Sequence, residues 1–143
     1  MEWNEIKNED IKDFLSMFGY FHDSCLKELM MWTEFSVDDN LAMAFGEGLD
    51  TKIRLLIQRQ EKNPSAIELL FEGVCESHLD NYGFIYDANI TFQDETFYWA
   101  NHYDWKPNDA DQDVTWIASK KIKWRDVSNW MGEKRRYVVE SDR

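Results

Sequence analysis

The stretch FIYDANITFQDETFYWANHY, residues 84–103, decides the fold. Its first half alternates apolar with polar side chains, which is the period-two pattern of a β-strand with one buried face. The apolar set is Phe84, Tyr86, Ala88, Ile90 and Phe92. Asp94 and Glu95 then lead into a second strand pattern over residues 96–103, so the sequence predicts a β-hairpin. This connection contains no glycine, which leaves its turn type open.

Five further segments on either side of this hairpin also have strand patterns. Their ranges are 25–34, 41–47, 52–59, 66–75 and 114–125. Strands in succession, with no alternation of strand and helix, favour a mainly β (α+β) fold. About seven antiparallel strands are then expected to form a curled sheet, sandwich or barrel.

One helix is predicted ahead of the strands, over residues 8–18. Its apolar residues are Ile11, Phe14, Leu15 and Phe18. Their spacing places them on one face of the helix, and Gly19 suits the position just after the helix end. We expect this helix to pack on the sheet.

The chain has 143 residues and no segment with linker composition, so a single domain over residues 1–143 is predicted. Its parts are the helix at 8–18, a β-rich body over 24–125 and a C-terminal tail over 126–143. Within the tail, Val127, Trp130 and Met131 favour a short helix before Gly132. No apolar run approaches the roughly 18 residues that span a bilayer.

The N-terminus lacks the basic and apolar regions of a signal peptide, which favours a cytoplasmic location. Cys25 and Cys75 are too few for a disulfide framework, so two reduced thiols are expected.

Acidic residues dominate the charge, and the formal net charge is −12. Residues 28–51 and 63–105 contain no lysine or arginine. We expect such a chain to be repelled by nucleic acid and by anionic membranes, and to attract a basic protein. Charge that serves solubility alone is the competing interpretation.

His22 and Asp23, in the segment FGYFHDS at residues 18–24, are the candidate ligand site. The pair suits a general base with its orienting carboxylate, or two metal ligands. Neighbours in an extended segment point to opposite faces, which favours a structural role at the corner between helix and strand instead.

The other motifs each lack an element that their chemistry requires. Asp109, Asp111 and Asp113 begin like a calcium loop, but Val114 stands where a glycine is needed and Lys120 where a bidentate glutamate is needed. Glu68 and Glu72 fall on the outer face of one strand, roughly 13 Å apart, which is wide for acid–base work. No catalytic residue, cofactor or metal is predicted.

The polar loop over residues 106–113 is the candidate partner-binding region. Trp105, at its start, is the tryptophan expected to be most exposed. The predicted contact residues are Asp104, Trp105, Asp109, Asp111 and Asp113.

Several short motifs occur in an order that resembles a group of small, mostly uncharacterised bacterial β-rich proteins. They are Phe21-His22-Asp23-Ser24, Phe71-Glu72-Gly73-Val74, Tyr86-Asp87-Ala88, Tyr98-Trp99 and Trp124-Arg125. The resemblance covers about residues 20–125 and implies a single antiparallel β domain. Some similar proteins are encoded beside polymorphic toxins and are regarded as immunity proteins. The group offers no established catalytic residues.

The leading hypothesis is a non-enzymatic, acidic protein-interaction domain, with an immunity-type role in neutralising a cationic toxin. One alternative is a small-molecule-binding protein or enzyme that uses His22 and Asp23 beside an aromatic pocket. Another is a domain that self-associates through exposed tryptophan. The sequence leaves the oligomeric state open.

Overall fold

The computed structural model describes residues 2–46, 48, 51–109, 113–133 and 137. The predicted fold class is confirmed, because antiparallel strands curl into a half-barrel and the one α-helix lies near the N-terminus, between the first two strands. Within these residues the strands are β1 Asn4–Ile6, β2 Ser24–Trp32, β3 Ser36–Val37, β4 Met43–Ala44, β5 Lys52–Gln58, β6 Ala66–His78, β7 Phe84–Ile85, β8 Asn89–Gln93, β9 Thr96–Ala100 and β10 Trp116–Asp126.

Helix α1 spans Ile11–Met17, and a 3-10 turn at Asn8–Asp10 leads into it. Two further 3-10 turns lie at Gly19–Phe21 and Ser128–Met131. Gly19 has φ of +58°, the left-handed conformation that was expected just after the helix end. Among the described residues, no helix has the length and apolar character needed to cross a bilayer.

The main sheet has the strand order β7-β2-β5-β6-β10-β9-β8. Strand β9 pairs with residues 116–119 of β10, and β1 pairs with residues 122–124 along the same edge. The inner face of the sheet packs against α1 and forms the main core. Phe14 of α1 and Phe18, directly after its end, lie against Trp124 of β10, with ring centroids 5.8 and 5.1 Å away. The main core contains alternate residues of β5 and β6, as the sequence predicts, namely Ile53, Leu55, Ile57, Ile67, Leu69 and Phe71. The residues between them face the other side of the sheet, where some of them are buried as well.

Of the hairpin predicted at residues 84–103, the part over residues 89–100 forms, where β8 pairs with β9. Gln93 pairs with Thr96, and the two connecting residues, Asp94 and Glu95, have φ of 52° and 60°. Positive φ at both central residues is what a type I′ turn requires, so the tight connection forms without glycine.

The first part of that stretch differs from the prediction. The strand is interrupted between Ile85 and Asn89, because the Tyr86 N–H donates to the Asn101 carbonyl and the Ala88 N–H to the Tyr20 carbonyl. Ile85 is consequently fully buried, whereas Tyr86 is 47% exposed. The expected inward position of Tyr86 is therefore wrong.

Strands β3 and β4 form a separate two-stranded arm in place of the strand predicted at 41–47, part of which lies outside the described residues. Asp38 Oδ1 accepts hydrogen bonds from the Asn40 and Ala42 N–H groups at its turn. The large apolar side chains of the arm are exposed, namely Phe35, Val37, Leu41, Met43 and Phe45.

The tail is described as far as residue 133 and at Tyr137. The short helix predicted before Gly132 forms as the 3-10 turn at Ser128–Met131. Val127 and Met131 are buried in a small cluster with Leu56 and Ala66, so this segment covers one part of the outer face.

Candidate functional site

Residues 101–115 connect β9 to β10, and Asn101 fixes the base of this connection. Its N–H donates to the Thr115 carbonyl at 3.0 Å, and its Oδ1 accepts from the Thr115 N–H at 3.0 Å. Its Nδ2 donates to the Phe84 carbonyl at 3.2 Å. Asn101 is 4% exposed, so these polar groups would be costly to leave unpaired. The connection is therefore held beside β7.

Trp105 does not lie on the surface, which corrects the expected exposure. It is 4% exposed and stacks on Trp116, with ring centroids 5.1 Å apart and an interplanar angle of 20°. The Asn89 Nδ2 donates to the Trp105 carbonyl at 2.8 Å. Trp105 is thus an anchor that holds the connection to the sheet, because burying a large ring offsets the cost of ordering a polar loop.

The predicted carboxylates have different surroundings. Asp104, Asp109 and Asp113 are exposed, while Asp111 lies outside the described residues. Asp109 Oδ2 accepts from the Lys106 N–H at 2.8 Å, which stabilises a local turn. Among the residues that the structure describes, no three His, Cys, Asp or Glu side chains converge on a metal position.

Five rings form a continuous row on the surface beside this connection. In order they are Tyr82, Phe84, Tyr86, His102 and Tyr103. Successive ring centroids are 6.1, 4.7, 5.5 and 4.8 Å apart. The three tyrosines are 56%, 47% and 64% exposed. We call these residues the aromatic row.

Three aspartates lie beside the aromatic row. Asp80 Oδ2 accepts from the Tyr82 N–H at 3.2 Å, and Asp87 follows Tyr86 directly. Asp104 follows Tyr103, and its own N–H donates to His102 Nδ1 at 3.2 Å. We call the aromatic row together with Asp80, Asp87 and Asp104 the aromatic–acidic surface.

A shallow cavity of about 210 Å³ opens at one end of this surface. Its lining includes Leu26, Lys27, Asp80 and Tyr82. The ammonium group of Lys27 lies over the Tyr137 ring, 4.6 Å from its centroid. The Asp80 carboxylate therefore lines a concave site. The ammonium group of Lys27 in that site already contacts an aromatic ring.

His22 lies at the corner between α1 and β2, with a carboxylate at each ring nitrogen. Nδ1 is 2.7 Å from Asp87 Oδ1 and 2.8 Å from the Tyr86 carbonyl, and Nε2 is 3.1 Å from Asp23 Oδ2. The expectation that His22 and Asp23 point apart is wrong, because the segment is not extended and Asp23 has φ of 57°.

These contacts define what the imidazole can do. The hydrogen bond to Asp87 is the main reason why the pKa of His22 is raised above its ordinary value, and the Asp23 charge adds to it. Because each ring nitrogen already contacts a carboxylate, neither is open to accept a proton from a substrate. The arrangement suits a clamp between the corner and residues 86–87 better than a general base.

The thiols are also placed by the structure. Cys25 and Cys75 are both free and exposed. A disulfide between them therefore plays no part in this fold.

Sequence reasoning missed most of the aromatic row. Tyr82, His102 and Tyr103 were not singled out, and alternation assigned Phe84 and Tyr86 to the inner face. The available signal was the density of aromatic residues at 82–86 and 102–103, on both sides of the predicted hairpin strands.

Comparison of the chain with protein-family models, with curated proteins and with solved structures gives no match. Function therefore has to be inferred from the residues of the site.

Proposed function

We propose that the protein is a non-enzymatic interaction domain that binds a basic protein through the aromatic–acidic surface. The observation that carries this proposal is the aromatic row, with its three exposed tyrosines, beside Asp80, Asp87 and Asp104 in a segment without lysine or arginine. Exposed apolar patches bordered by polar groups commonly mark interaction sites.

The chemistry of this surface fits arginine-rich partners. A guanidinium group stacks on tyrosine faces and donates to carboxylates, so one arginine can use both components. Tyrosine also loses little conformational entropy on binding, because it has few rotatable bonds. The surrounding negative charge accelerates encounter with a positively charged protein.

The role we propose is that of a bacterial, cytoplasmic immunity-type protein that neutralises a cationic toxin. The resemblance to small bacterial β-rich proteins, some of which are encoded beside toxin genes, supports this role. The exposed Asp104, Asp109 and Asp113 extend the negative surface along the β9–β10 connection.

A small-molecule or catalytic site at His22 and Asp23 has less support. Both ring nitrogens of His22 already contact carboxylates, and the cavity beside Asp80 is lined by other residues. Among the described residues, nothing favours a binding or catalytic role of His22 and Asp23 over a structural one.

The proposal is tested by co-expressing the protein with the product of its neighbouring gene and measuring the dissociation constant of any complex. We expect a complex at about 50 mM salt that weakens at least tenfold by about 300 mM salt, because screening shortens the reach of surface charge. Failure to form a complex at low salt overturns the proposal. A dissociation constant that does not change with ionic strength also overturns it.

A further inference from the structure

The outer face of the sheet carries a concave pocket of about 340 Å³. Its lining residues are Lys52, Glu72, Gly73, Lys120, Lys121 and Lys123. We call it the lysine pocket. Four lysines against one glutamate make it locally positive, in a chain whose net charge is −12. The lysine pocket is therefore positive, whereas the aromatic–acidic surface is negative. The two share no residue.

Strand register explains why three of the four lysines lie on one face. Lys52 of β5 and Lys121 of β10 are each paired with Glu72 of β6. Residues paired directly across antiparallel strands point to the same face of the sheet, so these three side chains form one row. Lys123, two residues further along β10, has its side chain on that face as well.

Part of the β10 edge beside the lysine pocket is not paired with another strand. Strand β9 pairs with β10 as far as Ser119, and β1 begins its pairing at Ile122. Lys120 and Lys121 lie between these two partners, and both are exposed. The pocket therefore opens where the sheet edge changes partner.

The carboxylate in the pocket is already neutralised. Glu72 lies 2.7 Å from Lys123 Nζ and 3.7 Å from Lys52 Nζ. Partial burial raises the pKa of Glu72, but the hydrogen bond from Lys123 and the lysine charges outweigh it and lower the pKa overall. The net field at this position is therefore positive.

Two ammonium groups form no ion pair among the residues that the structure describes. Lys120 Nζ donates to the Thr96 hydroxyl at 3.0 Å, and Lys121 acts on Glu72 only through its charge. Neighbouring like charges repel each other unless an anion lies between them. The pocket is thus suited to a ligand with about two negative charges.

We propose that the lysine pocket binds the phosphate group of a small phosphorylated ligand. A phosphate dianion matches the two lysines that form no ion pair, and lysine binds phosphate as a point charge. Gly73 has no side chain to obstruct the opening, and its φ of +64° belongs to the left-handed region that favours glycine.

The test is a titration of the protein with inorganic phosphate and with pyrophosphate, at constant ionic strength set with chloride. Binding is followed through the amide resonances of Gly73 and Thr96. We expect saturable shifts at both positions. The variant Lys120→Gln/Lys121→Gln is expected to bind at least tenfold more weakly, with an unchanged melting temperature because both side chains are exposed.

The matched control is Lys12→Gln/Lys106→Gln, which removes two exposed lysines outside the pocket and should change the affinity less than twofold. Absence of saturable shifts with either anion overturns the proposal. An equal loss of affinity in the control variant also overturns it, because that result indicates general charge attraction.

Discussion

Arg125 and Glu68 form an ion pair at the centre of the outer face of the sheet. Arg125 Nε and Nη2 lie 2.8 and 2.7 Å from Glu68 Oε1, and Arg54 Nε lies 3.1 Å from Oε2. The rings of Trp3 and Trp130 lie 4.1 and 5.3 Å from the Arg125 guanidinium carbon. Glu68 is consequently 2% exposed, although it is on the outer face as the sequence predicts.

Replacement of Glu68 by glutamine should lower the free energy of unfolding by about 2 kcal/mol. Fully buried pairs lose about 3–5 kcal/mol when one partner is removed, and the partial exposure of Arg54 reduces this cost. Urea denaturation measures the effect. Glu76→Gln, at an exposed position of the same strand, should stay within about 0.5 kcal/mol of the wild type. Equal losses in both variants would show that Glu68 is not specially stabilised.

The role of Trp105 as an anchor predicts a large cost of truncation. Trp105→Ala should destabilise the protein by about 3 kcal/mol, because it removes a buried ring that stacks on Trp116. Tyr103→Ala, two residues away and 64% exposed, should cost about 0.5 kcal/mol or less. Thermal unfolding of the two variants distinguishes these roles, and a small effect of Trp105→Ala would contradict the anchor.

The clamp at His22 predicts a pH-dependent contribution to stability. Its folded-state pKa lies above the ordinary value of 6.5, so its contribution is fully present below 6.5 and disappears as the pH rises through the folded-state value. His22→Gln should therefore lower the melting temperature more at about pH 5.5 than at about pH 8.5.

Titration of the His22 resonances measures that pKa directly. Asp87→Asn should bring it back towards 6.5, because it removes the hydrogen bond that chiefly raises it. A His22→Gln effect that is equal at both pH values would contradict the clamp.

Local features of the fold could be predicted from the sequence because neighbouring residues determine them. The turn at Asp94 and Glu95 follows from two strand patterns that adjoin it, and the left-handed Gly19 follows from the end of an amphipathic helix. The alternation of β5 and β6 likewise identifies the buried face.

The site could be predicted only in part because it depends on contacts between distant segments. Alternation assumes an unbroken strand, and the bonds of Tyr86 to Asn101 and of Ala88 to Tyr20 break it. The burial of Trp105 depends on Trp116, which no local pattern reveals. The acidic character was visible in the sequence, whereas the ring contacts that form the aromatic row were not.

The measurement that tests the central proposal most directly is the affinity of two double variants for the product of the neighbouring gene. Tyr103→Ala/Asp104→Asn removes a ring and a charge from the aromatic–acidic surface. Phe45→Ala/Asp39→Asn removes the same kinds of group from the β3–β4 arm, where Phe45 is 73% exposed. We expect the first variant to bind at least about tenfold more weakly and the second to bind within about twofold of the wild type. Wild-type affinity in the first variant, or a loss confined to the second, would contradict the account.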